Sequence, residues 1–308
     1  MERLFLRRYA TIDIGSNTIL LLIGQITPEG NLEVVLDIEE TTRLGKGLQR
    51  GGRLDPCSVR KTISALKRFI SLCQRKEVEK IAAVGTNALR LATDAEQFIQ
   101  AVQKECGISP QIITGKDEAY LSFLAVERDP AMPRDVLVMD VGGGSTEYIF
   151  RRGEDQHLQP LSLPLGAVNL TEEFLHSDPP SQDEVMRLQG KIEKSLHHLP
   201  LAAEGELVGI GGTAVTLACA HLGQESFNRQ KIHGLPMSID ERRNLVKELQ
   251  RKDLEARKKI KGLPPERADI ILAGAIIILS SMERMGKEKI RISCHGLRYG
   301  LFYQRFMS

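Results

Sequence analysis

The 308-residue chain reads as an α/β protein of two domains, each a mixed sheet with helices packed outside it. Three observations predict this. The length is at the upper limit for one hydrophobic core and suits two domains of about 150 residues each. Two nearly matching turns, Asp13-Ile-Gly-Ser-Asn-Thr and Asp140-Val-Gly-Gly-Gly-Ser-Thr, stand 127 residues apart. Around each turn, three apolar strand patterns are followed by alternating helix and strand.

In the first half, Tyr9–Gly15, Thr18–Ile26 and Leu32–Glu40 read as strands, the last two joined at Pro28-Glu-Gly30-Asn. Asp55 is expected to cap a helix with Pro56 in its first turn. Val59, Ile63, Leu66, Phe69, Ile70 and Cys73 share one face of it. Lys80–Val84 is a short strand, and a helix from Thr93 or Asp94 to Cys106 stops at Gly107. A strand at Gln111–Thr114 leads into a helix from about Lys116 toward Val126. Arg128-Asp-Pro130 through Pro133 then punctuates the passage to the second half.

That half repeats the plan. Strands are expected at Val136–Val141, Thr146–Arg151 and His157–Leu163, helices at 168–175 and 182–198, and a strand at Glu206–Ile210 entering Gly211-Gly212-Thr213. Helical patterns follow at 238–251 and 265–284, then a strand at Lys289–Ser293 and a last helix at Gly296–Phe306. Ile270–Leu279 is apolar, but ten residues do not span a bilayer, so a buried helix is expected.

With 42% hydrophobic and 27% charged residues, the composition is that of a soluble globular protein. A net charge of +2 excludes the broad basic field of a nucleic-acid binder, so attraction for polyanions has to be local. Five dispersed cysteines without CxxC pairs read as reduced thiols in a cytoplasmic protein. The segment Met1–Arg8 carries positive charge but no apolar run of signal-peptide length, so neither secretion nor a membrane partner is expected.

The turns carry the chemistry. Glycine allows φ > 0 and brings backbone N–H groups close to a ligand, while neighbouring hydroxyls add donors, which suits an oxyanion such as phosphate. One such turn is more often a plain hairpin. Two, one in each half, point to duplicated domains facing each other across a phosphate-binding cleft. Ser16, Asn17, Thr18, Gly143, Gly144 and Ser145 are the expected donors. A third turn, Gly211-Gly212-Thr213, opens a helix whose N-terminus is an anion site for a second phosphate or a guanosine. Asp140 and Glu147 flank the second turn and could hold one Mg²⁺ from opposite sides, with Asp13 reaching it through water and Mn²⁺ as an alternative ion.

Beyond single turns, Asp13-Ile-Gly-Ser-Asn-Thr, Gly85-Thr-Asn-Ala-Leu-Arg90, Thr114-Gly-Lys-Asp-Glu118-Ala, Asp140-Val-Gly-Gly-Gly-Ser-Thr-Glu147, Leu163-Pro-Leu-Gly-Ala167, Gly209-Ile-Gly-Gly-Thr-Ala214, Pro265-Glu-Arg-Ala-Asp269 and Gly296-Leu-Arg298 occur in that order. Together they resemble the exopolyphosphatase / guanosine pentaphosphate phosphohydrolase family, spanning nearly the whole chain. That family belongs to the superfamily of actin, sugar kinases and heat-shock ATPases. The resemblance implies two ribonuclease H-like, actin-like domains with a cleft between them: 1–124 and 125–296, with a C-terminal helix 297–308 packing back on the first. It also implies the short form that lacks further C-terminal helical domains.

The resemblance places the family's catalytic glutamate at Glu118, the general base. Without it, Glu118 reads equally well as a residue suited to the first turn of its helix, worth about 0.3–1 kcal/mol. Arg90 would clamp phosphate, with Arg43 and Lys46 as weaker members of the same cationic rim. Arg267 and Arg298 are as well suited to pinning the domains together as to touching substrate. The histidines add little: His233 reads as structural, His197 and His198 as solvent-facing, and His295 departs from the family pattern.

The expected activity is Mg²⁺-dependent hydrolysis of terminal phosphoanhydride bonds, releasing orthophosphate from inorganic polyphosphate. The runner-up substrate is guanosine pentaphosphate, giving the tetraphosphate. A sugar-kinase-like phosphotransferase or a nucleotide sensor is a further alternative, although no acceptor site is identifiable and a sensor should lack Glu118 or Glu147. Expected partners are one of those phosphate polymers or nucleotides, no nucleic acid, and a second copy of the chain in a homodimer.

Overall fold

The computed structural model describes residues 7–48, 52–152, 157–197, 199 and 204–307. The chain divides into two compact units, Met1–Ala125 with Leu297–Ser308, and Val126–Gly296.

In the first unit, β1 (Arg8–Ile14), β2 (Thr18–Ile26) and β3 (Leu32–Thr41) form an antiparallel meander, with β4 (Val78–Gly85) and β5 (Gln111–Ile112) added in parallel. The sheet order is β3-β2-β1-β4-β5. Its helices are α1 (Pro56–Arg75), α2 (Asn87–Leu91), α3 (Ala95–Cys106) and α4 (Gly115–Glu127). The Asp55 carboxylate caps α1 by accepting from Ser58 N–H at 2.7 Å, and Ile63, Leu66, Phe69 and Cys73 bury its inner face. Gly107, at φ 72°, ends α3 in the left-handed conformation that a residue without Cβ adopts at little cost.

The C-terminal helix (Leu297–Phe306) belongs to this unit. Tyr299, Phe302 and Tyr303 bury against Leu22, Leu124 and Ala125, and Phe306 stacks on Tyr9 at 4.6 Å. Arg298 is held bidentate by Asp37 on β3, at 2.7 and 2.9 Å, and Tyr299 Oη donates to the same carboxylate at 2.6 Å. This revises the expectation for Arg298: its guanidinium fastens the C-terminal helix to its own sheet.

The second unit holds β6 (Val136–Val141), β7 (Thr146–Arg152), β8 (His157–Leu163), β9 (Glu206–Ile210), β10 (Pro236–Ser238) and β11 (Lys289–Ile292), in the order β10-β11-β9-β6-β7-β8. Again the first three strands are an antiparallel meander, and the next joins the first in parallel. Around the sheet lie α5 (Ala167–Phe174), α6 (Gln182–Leu196), α7 (Gly211–His221), α8 (Arg229–Ile232), α9 (Ile239–Arg251), α10 (Leu254–Lys258) and α11 (Ile271–Arg284). Reciprocal capping boxes, Ser181 with Glu184 and Ser238 with Glu241, start α6 and α9.

Every residue of α11 from Ile271 to Met282 is buried, so the apolar run is an internal helix. The expected single helix over 265–284 is instead a 3-10 turn at Pro265–Arg267 followed by α11: Ala268 and Ile270 N–H donate to the carbonyls three residues back, Pro265 and Arg267, so the tighter turn closes before the α-helix begins. No helix among the described residues is long and apolar enough to cross a membrane. His198 lies outside the described residues; His197, which ends α6, is exposed.

Candidate active site

In the first unit the β1–β2 connection is a tight turn. Gly15 N–H donates to Thr18 O at 3.1 Å, and a Cβ on Gly15 would approach that oxygen to 2.9 Å. The carbonyls of the turn are consumed by the segment after β3: Asn17 O accepts from Thr42 and Arg43 N–H at 3.0 and 2.9 Å, and Ser16 O accepts from Gly45 at 2.8 Å. What remains to meet a ligand is the donor side. The N–H groups of Ser16 and Asn17 make no hydrogen bond among the described residues. Asn17 is buried, and its Oδ1 has no partner there. Arg43, which closes the staple on Asn17, holds φ at 56°, a strained value for a residue with a side chain. Asp13 sits one residue before the end of β1, between Leu20 on β2 and Val84 on β4.

Glu118 lies in the first turn of α4. That helix is started by a reciprocal pair in which Thr114 Oγ1 donates to Asp117 at 2.7 Å and Asp117 N–H donates back at 3.2 Å. Arg90, on the short α2, donates from Nη1 to Glu118 Oε2 at 2.6 Å and to Ile113 O at 3.1 Å. Both side chains are largely withdrawn from solvent, at 22% and 14% exposure. Burial pushes the Glu118 carboxyl above its ordinary value, and the Arg90 charge and hydrogen bond pull against that rise without cancelling it. Arg90 is therefore engaged with the carboxylate, a pairing that neither residue's sequence context announced.

The second unit builds a denser site at one end of its sheet. Gly142 N–H donates to Ser145 O at 2.9 Å and closes the β6–β7 turn. The start of α5 takes up the turn's carbonyls: Ala167 N–H reaches Gly142 O and Val168 N–H reaches Gly143 O, both at 2.9 Å, while Asn169 Nδ2 reaches Gly144 O at 3.0 Å. A Cβ on Gly166 would lie 2.1 Å from Gly143 O, so this approach requires glycine. The N–H groups of Gly143, Gly144 and Ser145 donate to nothing among the described residues. A concave row of uncommitted donors such as this suits an anion.

Beside the turn, β9 runs into α7. Gly211 has φ 77°, and a Cβ there would stand 2.2 Å from Asp140 Oδ1, so the carboxylate lies directly against the start of the helix. Thr213 Oγ1 donates to Val141 O at 2.8 Å, which fixes the helix to β6. Arg267 packs over Gly212, where a Cβ would meet its guanidinium. Arg267 thus brings a buried cation to this helix start. Asp140 and Glu147 are direct cross-strand partners, hence on one face of the sheet, and Ser162 Oγ donates to Glu147 Oε1 at 2.9 Å. Like charges placed opposite each other repel. A hard divalent cation turns that repulsion into binding, so the donor set fits Mg²⁺.

One further cluster lies in the second unit. His233 Nε2 and His295 Nδ1 each lie 3.0 Å from the buried Asp129 Oδ2. The rings are 4.7 Å apart. Cys294 N–H donates to His233 Nδ1 at 3.1 Å, and Arg229 Nη2 lies against His295 Nε2. Both outer ring nitrogens therefore face donors, so the ring protons sit on the nitrogens turned toward Asp129. A cation site needs those inner lone pairs free. The three residues form a tight electrostatic tie within the second unit, in which His233 is structural, as expected, and His295, which departs from the family pattern, belongs to the same cluster. Residues 129, 233 and 295 are too far apart in the chain for any spacing rule to join them.

The chain matches the Ppx/GppA phosphatase family over residues 22–308. It is 30% identical to Exopolyphosphatase 2 of Mycobacterium tuberculosis, over 96% of this chain and 98% of the relative. A solved Ppx/GppA family member from Aquifex aeolicus is 35% identical, with a TM-score of 0.82 and 97% of each chain covered. A solved exopolyphosphatase from Cytophaga hutchinsonii is 26% identical, with a TM-score of 0.88, again over 97% of each. The chain belongs to the Ppx/GppA phosphatase family, a family of hydrolases.

Proposed function

We propose that this protein is an exopolyphosphatase, hydrolysing the terminal phosphoanhydride bond of inorganic polyphosphate with Mg²⁺ bound. The observation that carries the reading is the second unit's grouping of uncommitted N–H donors at Gly143, Gly144 and Ser145 with the Asp140–Glu147 carboxylate pair and the start of α7. Donors for an oxyanion beside ligands for a hard cation suit a metal-bound phosphate and few other ligands. The names of relatives, exopolyphosphatases at about 30% identity, support polyphosphate as the substrate class.

In this reading Glu118 orients and deprotonates the attacking water. A carboxylate whose proton affinity is raised by burial is a better base than an ordinary one. Arg90 holds that carboxylate, and the turns at 15–17 and 142–145 hold phosphate oxygens. Asp140 and Glu147 would hold Mg²⁺, which would neutralise charge developing on the transferred phosphoryl group. A divalent metal of similar chemistry, Mn²⁺, fits the same ligands. Guanosine pentaphosphate offers the same terminal bond and is the second substrate to test.

The test is phosphate release by the purified protein from long polyphosphate, guanosine pentaphosphate and ATP, with and without Mg²⁺. Polyphosphate should be turned over fastest, and only with the metal. Preference for ATP, or release that ignores chelation of the metal, would overturn the reading.

A further inference from the structure

A second cationic surface lies on the first unit, apart from the residues assigned above. Helix α1 carries Arg60, Lys61, Lys67, Arg68 and Arg75 and no acidic residue. A chain with a net charge of only +2 has therefore concentrated cations on one exposed helix face, where positions 60/61, 67/68 and 75 recur at seven-residue spacing, two helical turns apart. Lys67 is neutralised by Glu105 at 2.7 Å, and Arg68 is held by Glu40 on β3 and by Ser64 Oγ. Arg60 and Lys61 have no ion-pair or hydrogen-bond partner among the described residues. They do not stand on a flat surface. Together with Glu40, Thr41, Ser64 and Arg68 they line a groove of about 300 Å³ between α1 and the edge strand β3. Three cations face one carboxylate in that groove.

The position of the groove indicates what it takes. Thr41 is the strand partner of Thr18, the residue that follows the Gly15–Asn17 turn. The next two residues, Thr42 and Arg43, donate to Asn17 O. Neighbouring strands lie about 5 Å apart, so the groove opens within a short span of the turn assigned to phosphate. An isolated phosphate or a nucleotide has no need of a second cationic surface there, whereas a linear polyanion does.

We propose that the Arg60–Lys61 groove binds internal phosphates of a polyphosphate chain beyond its hydrolysed end. The inference rests on the polyphosphate reading above and names where the rest of that substrate goes. Contacts of this kind are individually weak and sum along a tethered ligand, so chains long enough to reach the groove gain affinity that short ones lack.

The test compares wild type with the Arg60→Glu/Lys61→Glu double variant and the milder Arg60→Gln/Lys61→Gln variant, using tripolyphosphate and long polyphosphate. Both positions are exposed on the helix surface, so unchanged circular dichroism and melting temperature are expected. On long chains KM should rise by about tenfold in the charge-reversed protein and less in the neutral one, as loss of a local field requires. kcat, and both constants on tripolyphosphate, should stay as in wild type. Equal KM on long chains for all three proteins, or an equal rise on tripolyphosphate, would overturn the groove assignment while leaving the polyphosphate reading intact. Failure of wild type itself to hydrolyse either polymer would remove both.

Discussion

Arg90 Nη1 donates to Glu118 Oε2 at 2.6 Å while also holding the carbonyl of Ile113. One guanidinium thereby fixes the carboxylate in place and lowers the proton affinity that burial has raised. Two consequences follow for catalysis. Glu118→Gln should reduce turnover by about 10²–10⁴-fold with substrate binding largely kept. Arg90→Ala should shift the acid limb of the rate profile to higher pH, because Glu118 must lose its proton to act and Arg90 is what opposes the upward shift. Rate profiles of the three proteins between acid and neutral pH measure both effects, and an unmoved limb in Arg90→Ala would mean that Glu118 is not the titrating base.

Asp140 and Glu147 are cross-strand neighbours on one hairpin. Asp140→Asn and Glu147→Gln should each raise the Mg²⁺ concentration needed for half-maximal activity, since each removes a charged oxygen from a site with few protein ligands. A Mg²⁺ titration of activity reads this directly. Were both variants to titrate like wild type, the carboxylates would be structural only.

Gly166 meets Gly143 O so closely that a Cβ would stand 2.1 Å away, whereas Gly190 on α6 has nothing within 4 Å. Gly166→Ala should push the 142–145 turn away from α5, costing about 1–3 kcal/mol and lowering kcat/KM with it. Gly190→Ala should leave activity alone and stabilise the protein by roughly 0.5–1 kcal/mol through helix propensity. Urea denaturation alongside kinetics distinguishes the two, and an active, fully stable Gly166→Ala protein would show that the contact is not needed.

His295 and Asp129 make stability depend on pH in a defined direction. Burial lowers the His295 imidazole below its ordinary 6.5, against the pull of Asp129 and with the help of Arg229 and His233. Between that lowered value and 6.5 the unfolded chain holds the extra proton, so stability falls as pH falls through this window. Burial alone would raise the Asp129 carboxyl, but the two imidazoles hold it well below 3.8, so its contribution is lost as pH falls from there. Melting temperatures across this range, wild type minus His295→Asn, cancel the other titrating groups. The difference should be largest near neutrality and shrink on acidification, and a flat difference would contradict the coupling.

Much of the fold was legible because it follows from local rules. The Asp55 cap, the Gly107 stop and the apolar run in α11 need only a few neighbouring residues to be read. Short elements were not. α8, α10 and β10 are five residues or fewer, too short for either periodicity to register. At the candidate site, the turns were legible as glycine-rich segments, yet what they do with their carbonyls was not. The staples from Thr42, Gly45, Ala167 and Val168 come from segments that carry no local signal of a distant partner. The same holds for Arg90 with Glu118 and for Arg298 with Asp37, ion pairs made across 28 and 261 residues of chain.

In the proposed reaction water attacks the terminal phosphorus of a polyphosphate chain. Hydrolysis in ¹⁸O-labelled water, followed by mass analysis of the orthophosphate and of the shortened polymer, tests it most directly. A single labelled oxygen should appear in each orthophosphate cleaved from the chain end, and no label in the remaining chain. Label appearing in the chain, or orthophosphate released only when an acceptor alcohol or nucleotide is supplied, would contradict it.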